Sequence, residues 1–207
     1  MTKSELRKLM RCELSAVSAY EKNVASEKAC GQFLEFAFRN NFDIVLSYAD
    51  MRNEISPEKI NCGLMRMKKS VALPRVVSGT SRMNFYILDN EINMSAQLER
   101  GAFGISEPFE NKEKIFSAKN FSGRKICVVV PGVAFGKRGQ RLGHGMGFYD
   151  IYLSVLKKEC MQNGSSLFLA GLCFDFQIKE NIPADENDIF MDCVFSEKKS
   201  YFFESTE

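Results

Sequence analysis

Residues 125–132, KICVVVPG, carry the strongest strand signal in the chain. The run is apolar on both faces, so both must be covered, as they are in the central strand of a parallel sheet. That requirement sets the fold class. Shorter apolar runs at DIVLSY (43–48), VALPRVV (71–77), MNFYIL (83–88), LFLAGLCF (167–174) and MDCVFSE (191–197) predict further strands, with Pro74 placing the second of them at an edge or near its own end. Apolar side chains at helical spacing run from Leu6 to Ala37, and Thr2 and Glu5 form a T-x-x-E capping box that starts a helix near Lys3. Ser56, Pro57 and Glu58 open another helix to about Lys69, and GFYDIYLSVLKKEC (147–160) predicts a third through Tyr149, Leu153 and Leu156. Residues 101–123 read as a long surface connection. Strands alternating with helices predict an α/β chain, a three-layer α/β/α arrangement around a mainly parallel, Rossmann-like open sheet. At 207 residues and 45% hydrophobic content the chain can bury one substantial core, which predicts a single domain over 1–207.

The stretch after the central strand, RGQRLGHGMGFYD (138–150), holds four of the chain's 14 glycines and its only histidine. In an open α/β sheet, ligands bind beyond the carboxyl ends of the strands, where this stretch is expected to lie. Gly139, Gly143, Gly145 and Gly147 allow backbone N–H groups to converge on an anion, and the helix starting near Gly147 adds its own free N–H groups and positive dipole end. Lys137, Arg138 and Arg141 supply charge. The pattern reads as a phosphate cradle, although neither GxxxxGK[ST] nor GxGxxG fits it. A mobile glycine-rich turn is the alternative. Asp150 reads equally as a first-turn acid stabilised by the helix dipole or as a metal ligand. Nothing near His144 in sequence orients its ring.

Composition narrows the partners. The 28 basic and 26 acidic residues nearly cancel, so no global field points to nucleic acid or to a membrane surface. The seven cysteines are odd in number, form no CxxC pair and mostly sit in apolar runs, which predicts buried, reduced thiols and a cytoplasmic location. The charged N-terminus lacks a signal-peptide core, and no run approaches 18 consecutive apolar residues.

With VVVPGVAFGKRGQRLGHGMGFYDIYL (128–153) in view, the chain resembles the 5-formyltetrahydrofolate cyclo-ligase family, in which PGxAFD, a short basic turn and GxRLGxGxGYYD follow a strand. Other family elements recur in order: Lys3 and Arg7 of K-x-x-x-R, Tyr48 and Glu54, LPR at 73–75, Met83 with Phe85, FGISEP at 103–108, and Gln177, Pro183 and Asp188 near the end. Gly136 stands where the family has the aspartate of AFD, Phe148 replaces the first tyrosine of the YY pair, and Asn187 occupies a place often held by histidine.

The resemblance implies ATP-dependent conversion of 5-formyltetrahydrofolate to 5,10-methenyltetrahydrofolate through a phosphorylated formyl oxygen, with release of ADP and phosphate. It assigns ATP to Lys3, Arg7, Gly139, Arg141, Leu142, Gly143, His144, Gly145, Met146, Gly147, Phe148 and Tyr149. Substrate falls to Ala49, Glu54, Met83, Gly145, Met146, Gly147 and Phe148. Arg141 and Tyr149 are implied to be catalytic, and Asp150 with Asp188 to hold Mg²⁺. The expected partner is 5-formyltetrahydrofolate, with or without a polyglutamate tail; a monomer without nucleic-acid or membrane partners is expected. Two other readings stay open: an ATP-dependent kinase or ligase acting on another small molecule, which Gly136 keeps alive, and a folate-binding or regulatory protein that keeps the pocket without turnover.

Overall fold

The computed structural model describes residues 1–204, and two capping boxes divide its N-terminal helical stretch. Helix α1 (Lys3–Ser15) starts at Thr2, whose hydroxyl accepts from the Glu5 N–H while the Glu5 carboxylate accepts from the Thr2 N–H. Helical spacing over 3–39 predicts no break, yet Ser18 and Glu21 form a second box that opens α2 (Ala19–Asn40). Each satisfies backbone donors that a helix start leaves orphaned. The later elements are β1 (Ile44–Leu46), α3 (Glu58–Arg66), β2 (Ser70–Val76), β3 (Met83–Ile87), β4 (Leu98–Arg100), β5 (Ser106–Pro108) and β6 (Lys125–Pro131). They are followed by β7 (Ala134–Gly136), β8 (Arg141–Leu142), α4 (Phe148–Asn163), β9 (Ser166–Leu172), β10 (Ile178–Lys179), β11 (Cys193–Phe195) and β12 (Ser200–Phe202).

The main sheet is mixed and has seven strands in the order β12-β11-β9-β6-β1-β2-β3. Its five inner strands pair parallel, while β12 and β3 are antiparallel edges. β6 is central, between β1 and β9. Its Ile126, Val128 and Val130 join a buried cluster with Leu153, Leu156 and Cys160 of α4. Cys127 and Val129 point the other way, into a cluster with Ala29 and Phe33 of α2 and Ile60 and Leu64 of α3. Alternation along one apolar strand thus feeds two cores, and each fully buried Val or Leu contributes roughly 1.5–3 kcal/mol. Pro74 lies in β2 beyond the last residue paired to β1, where its missing N–H leaves no gap in that ladder.

The segment after β6, which carries the first part of the glycine-rich stretch, is largely a hairpin. β7 and β8 pair antiparallel, with Ala134 opposite Leu142 and Phe135 opposite Arg141, and β10 adds a third strand. Helix α1 packs here, Leu6 and Met10 being buried against Val133, Ala134 and Leu142. The alternation in Val133-Ala134-Phe135 explains this, because Ala134 faces α1 while Phe135 enters the main-sheet core. The chain then places β1, β2 and β3 to one side and β6, β9 and β11 to the other, so strand order reverses between β1 and β6. A crevice opens at such a switch point.

Candidate active site

A cavity of about 340 Å³ occupies that crevice. Tyr48 and Ala49 reach it from the end of β1, Pro131 from the end of β6, and Pro74, Val76 and Met83 from β2 and β3. The glycine-rich segment Gly143–Gly147 forms one wall, Lys3 and Arg7 approach from α1, and Asp150 and Asp188 complete the polar end. Every site residue expected from the sequence lines this cavity except Gly139. That glycine sits in the β7–β8 turn at φ +85°, its carbonyl accepts from Met191 N–H at 2.8 Å, and a Cβ there would lie 2.5 Å from the Met191 carbonyl oxygen. It seats the hairpin on the chain at 191.

Cations and carboxylates meet in pairs around the cradle. Arg141, held on β8 and almost fully buried, places one guanidinium nitrogen 2.8 and 2.9 Å from the two oxygens of Asp150 and donates from another to the Pro131 carbonyl at 3.2 Å. Its guanidinium also lies 5.7 Å from the centre of the Tyr149 ring, within cation–π range. Lys3 Nζ donates to Asp188 at 2.5 Å and to Asp185 at 2.7 Å. Partial burial by itself would lower the Lys3 pKa, but these hydrogen bonds and charges outweigh it and raise it above the ordinary lysine value. The ammonium is held charged. Burial, reinforced by the nearby Glu54 charge and opposed by Arg141, pushes the Tyr149 phenol far above the ordinary tyrosine range, so it remains an O–H donor.

The loop itself is tied to its surroundings. Arg7 Nε donates to the Gly143 carbonyl at 2.9 Å, Arg11 lies 3.5 Å from the His144 carbonyl, and Gly145 takes φ +104°, a conformation that favours glycine. Gly147 at φ +72° is the N-cap of α4, so the first N–H groups of that helix face the same space. His144 Nε2 is 2.9 Å from Glu54 Oε1, and the other carboxylate oxygen accepts from the Met51 N–H at 2.8 Å. This supplies the orienting partner that sequence neighbours of His144 lack.

Several lining residues carry no chemical signal of their own in the sequence. Phe103, Ile105 and Glu107 come from the expected surface connection, where a β4–β5 hairpin packs beside β2. Phe103 meets Phe148 edge to face at 6.2 Å, and Glu107 is a buried carboxylate accepting from the Val76 N–H. The FGISEP match at 103–108 was the available pointer. Tyr48 is buried, its hydroxyl donating to the Ile55 carbonyl at 2.8 Å, and so shapes the turn that presents Glu54.

Among the described residues no three His, Cys, Asp or Glu side chains gather into a metal cluster. Asp150 and Asp188 nevertheless line one cavity, and Mg²⁺ is commonly held by one or two carboxylates with water and substrate phosphates completing its shell. The donor set fits that mode.

Backbone N–H groups, cationic side chains and paired carboxylates meet beside an apolar wall at the switch point of the sheet, in a chain of α/β class with a mixed seven-stranded sheet. The family model described as the 5-formyltetrahydrofolate cyclo-ligase family matches residues 1–197, and the chain belongs to that family. Mouse 5-formyltetrahydrofolate cyclo-ligase is 28% identical over 198 residues, covering 94% of this chain and 93% of its own. The Saccharomyces cerevisiae protein of the same name is 27% identical over 208 residues, with coverage of 93% and 94%. A solved structure of Aquifex aeolicus 5,10-methenyltetrahydrofolate synthetase matches with a TM-score of 0.76 at 27% identity, covering 100% of this chain and 95% of that one.

Proposed function

We propose that the chain catalyses ATP-dependent cyclisation of 5-formyltetrahydrofolate to 5,10-methenyltetrahydrofolate, releasing ADP and phosphate. The observation that carries this reading is the convergence in one cavity of the glycine cradle with Arg141, of Lys3 with Arg7, and of Glu54 and Met83, from four separate parts of the chain. A formyl oxygen is a poor leaving group as oxide or hydroxide. Transfer of the γ-phosphoryl group to it makes an iminophosphate, N10 then adds to the formyl carbon, and phosphate departs as the ring closes.

Such transfer asks the protein for positioning and charge stabilisation. N–H groups between residues 141 and 149 would hold the phosphates, with Arg141 offsetting charge that develops during transfer and the Tyr149 phenol available as a donor. Lys3 and Arg7 would close the nucleotide side from α1. Glu54 would accept hydrogen bonds from the pterin ring edge, with Ala49, Met83 and Phe148 against its faces. Asp150 and Asp188 would hold Mg²⁺, which supplies charge neutralisation across the phosphate oxygens. The three-layer, Rossmann-like reading of the sheet belongs to this proposal, since in that geometry a nucleotide would lie at the β1/β6 crevice. We place the chain in the cytoplasm as a monomer acting on folate with or without a polyglutamate tail; among the described residues no helix is long and apolar enough to cross a membrane.

Mixing the protein with ATP, Mg²⁺ and 5-formyltetrahydrofolate is expected to produce the near-ultraviolet absorbance of the methenyl product together with one ADP per turnover. Folate binding with no chromophore and no ADP would replace this reading with a binding protein, and ADP release only with other acceptors would replace it with a kinase or ligase of different substrate.

A further inference from the structure

We infer that His144 is a positioning residue that couples the nucleotide side of the cavity to the folate side, by tying the glycine loop to the carboxylate of Glu54. The inference rests on the proposed function and concerns how its two ligands sense one another.

Four observations carry it. His144 lies between Gly143 and Gly145, inside the glycine-rich segment that lines the cavity, and Gly145 at φ +104° lets the chain turn there without a side chain. Its Nε2 lies 2.9 Å from Glu54 Oε1 at the cavity wall, a contact between residues 90 apart in sequence. Glu54 has its other oxygen fixed by the Met51 N–H, so the imidazole completes the orientation of a buried carboxylate. The loop carbonyls on either side are held from α1, Gly143 by Arg7 Nε and His144 more loosely by Arg11 at 3.5 Å. Arg7 also lines the cavity and is therefore placed to engage both the loop and an incoming phosphate.

The same pair stands between two spaces. Glu54 and His144 line the main cavity and also a neighbouring one of about 260 Å³, which Arg11, Arg52, Gly132 and Val133 border. If the imidazole moved, Glu54 would lose one of its two protein partners and gain freedom toward the second space, at the cost that attends an under-satisfied buried carboxylate. Phosphate held by the loop N–H groups narrows the loop to one conformation and His144 with it. Glu54 is then presented to the folate ring in one orientation, and the ordering cost is met once for both ligands. Linkage makes the effect reciprocal, so bound folate also favours the loop conformation that holds nucleotide.

The test is a binding cycle by calorimetry on the full chain, with 5-formyltetrahydrofolate titrated in the absence and presence of saturating Mg²⁺ and a non-hydrolysable ATP analogue. For the unaltered protein the folate Kd is expected to tighten about tenfold when the analogue is bound, a typical size for coupled sites. His144→Ala should cut that coupling at least fivefold. His144→Gln, which can still donate a hydrogen bond to Glu54, should restore most of it, a rescue that a general loosening of the loop would not produce. Coupling retained in His144→Ala, or lost equally in both variants, would overturn the inference while leaving the proposed function standing. If the unaltered protein bound neither ligand, the functional reading itself would fall and the inference with it.

Discussion

At Gly136 the family pattern has an aspartate, and the structure shows what fills its place. The Gln140 side chain is buried beside Gly136, its oxygen accepts from the Arg138 N–H at 3.1 Å, and a Cβ on residue 136 would come within 2.3 Å of that oxygen. A neutral amide therefore supplies an acceptor for the turn locally, and its end sits where a side chain at 136 would enter. Gly136→Asp would push the end of the Gln140 side chain aside and take the Arg138 N–H from it, so it is expected to cost about 1 kcal/mol of stability and to gain no rate, which urea denaturation and the cyclisation assay would check. A several-fold rise in rate would instead mean that the native chain is impaired at this turn. At the same scale Arg141 was legible from its glycine-flanked basic pattern, while its bond to Asp150 depends on β8 and the first turn of α4 facing each other.

Among the elements, the C-terminal β11–β12 hairpin is held by one carboxylate. Asp175 accepts from Tyr201 OH at 2.6 Å and from Ser196 Oγ at 3.0 Å, with Lys198 at 3.2 Å. Burial opposes its ionisation, but these donors outweigh burial and hold its pKa below the ordinary aspartate value. A depressed folded pKa contributes stability that is present above the unfolded value, near pH 4, and is lost as pH falls through the folded one. Asp175→Asn should lower the denaturation midpoint at pH 7 and leave a smaller difference from the parent protein near pH 2, because the parent loses the same charge as pH falls through its depressed pKa. An unchanged gap between the two pH values would refute this account. The hairpin's outer strand, Ser200–Phe202, is too short and too mixed to announce itself, and pairing with β11 makes it a strand. The break between α1 and α2 was readable in principle, since S-x-x-E at Ser18 repeats the signal at Thr2.

For the molecule as a whole, the two faces of β6 and the cysteine pattern meet in a further expectation. Cys30, Cys127, Cys160, Cys173 and Cys193 are buried, Cys62 is half-buried and Cys12 is exposed. Burial pushes the Cys30 thiol up to about 12 and raises Cys127, Cys173 and Cys193 as well, so these remain inert thiols. Brief treatment of the native protein with iodoacetamide should label Cys12 first and Cys62 slowly, with the other five reacting only after denaturation; mass spectrometry of the digests would show it. Early labelling of Cys127 or Cys193 would mean that the two-sided core opens far more readily than this packing allows. Short-range pattern encodes a central strand apolar on both faces, helix starts at capping boxes, and a run of glycines with basic residues beside it. The partners come from the folded chain, which joins Lys3 to Asp188 across 185 residues and His144 to Glu54 across 90, and sets α1 on the β7–β8 hairpin. Periodicity reports which face of an element avoids water, because burial depends on apolar area; it carries no label for the surface that covers that face.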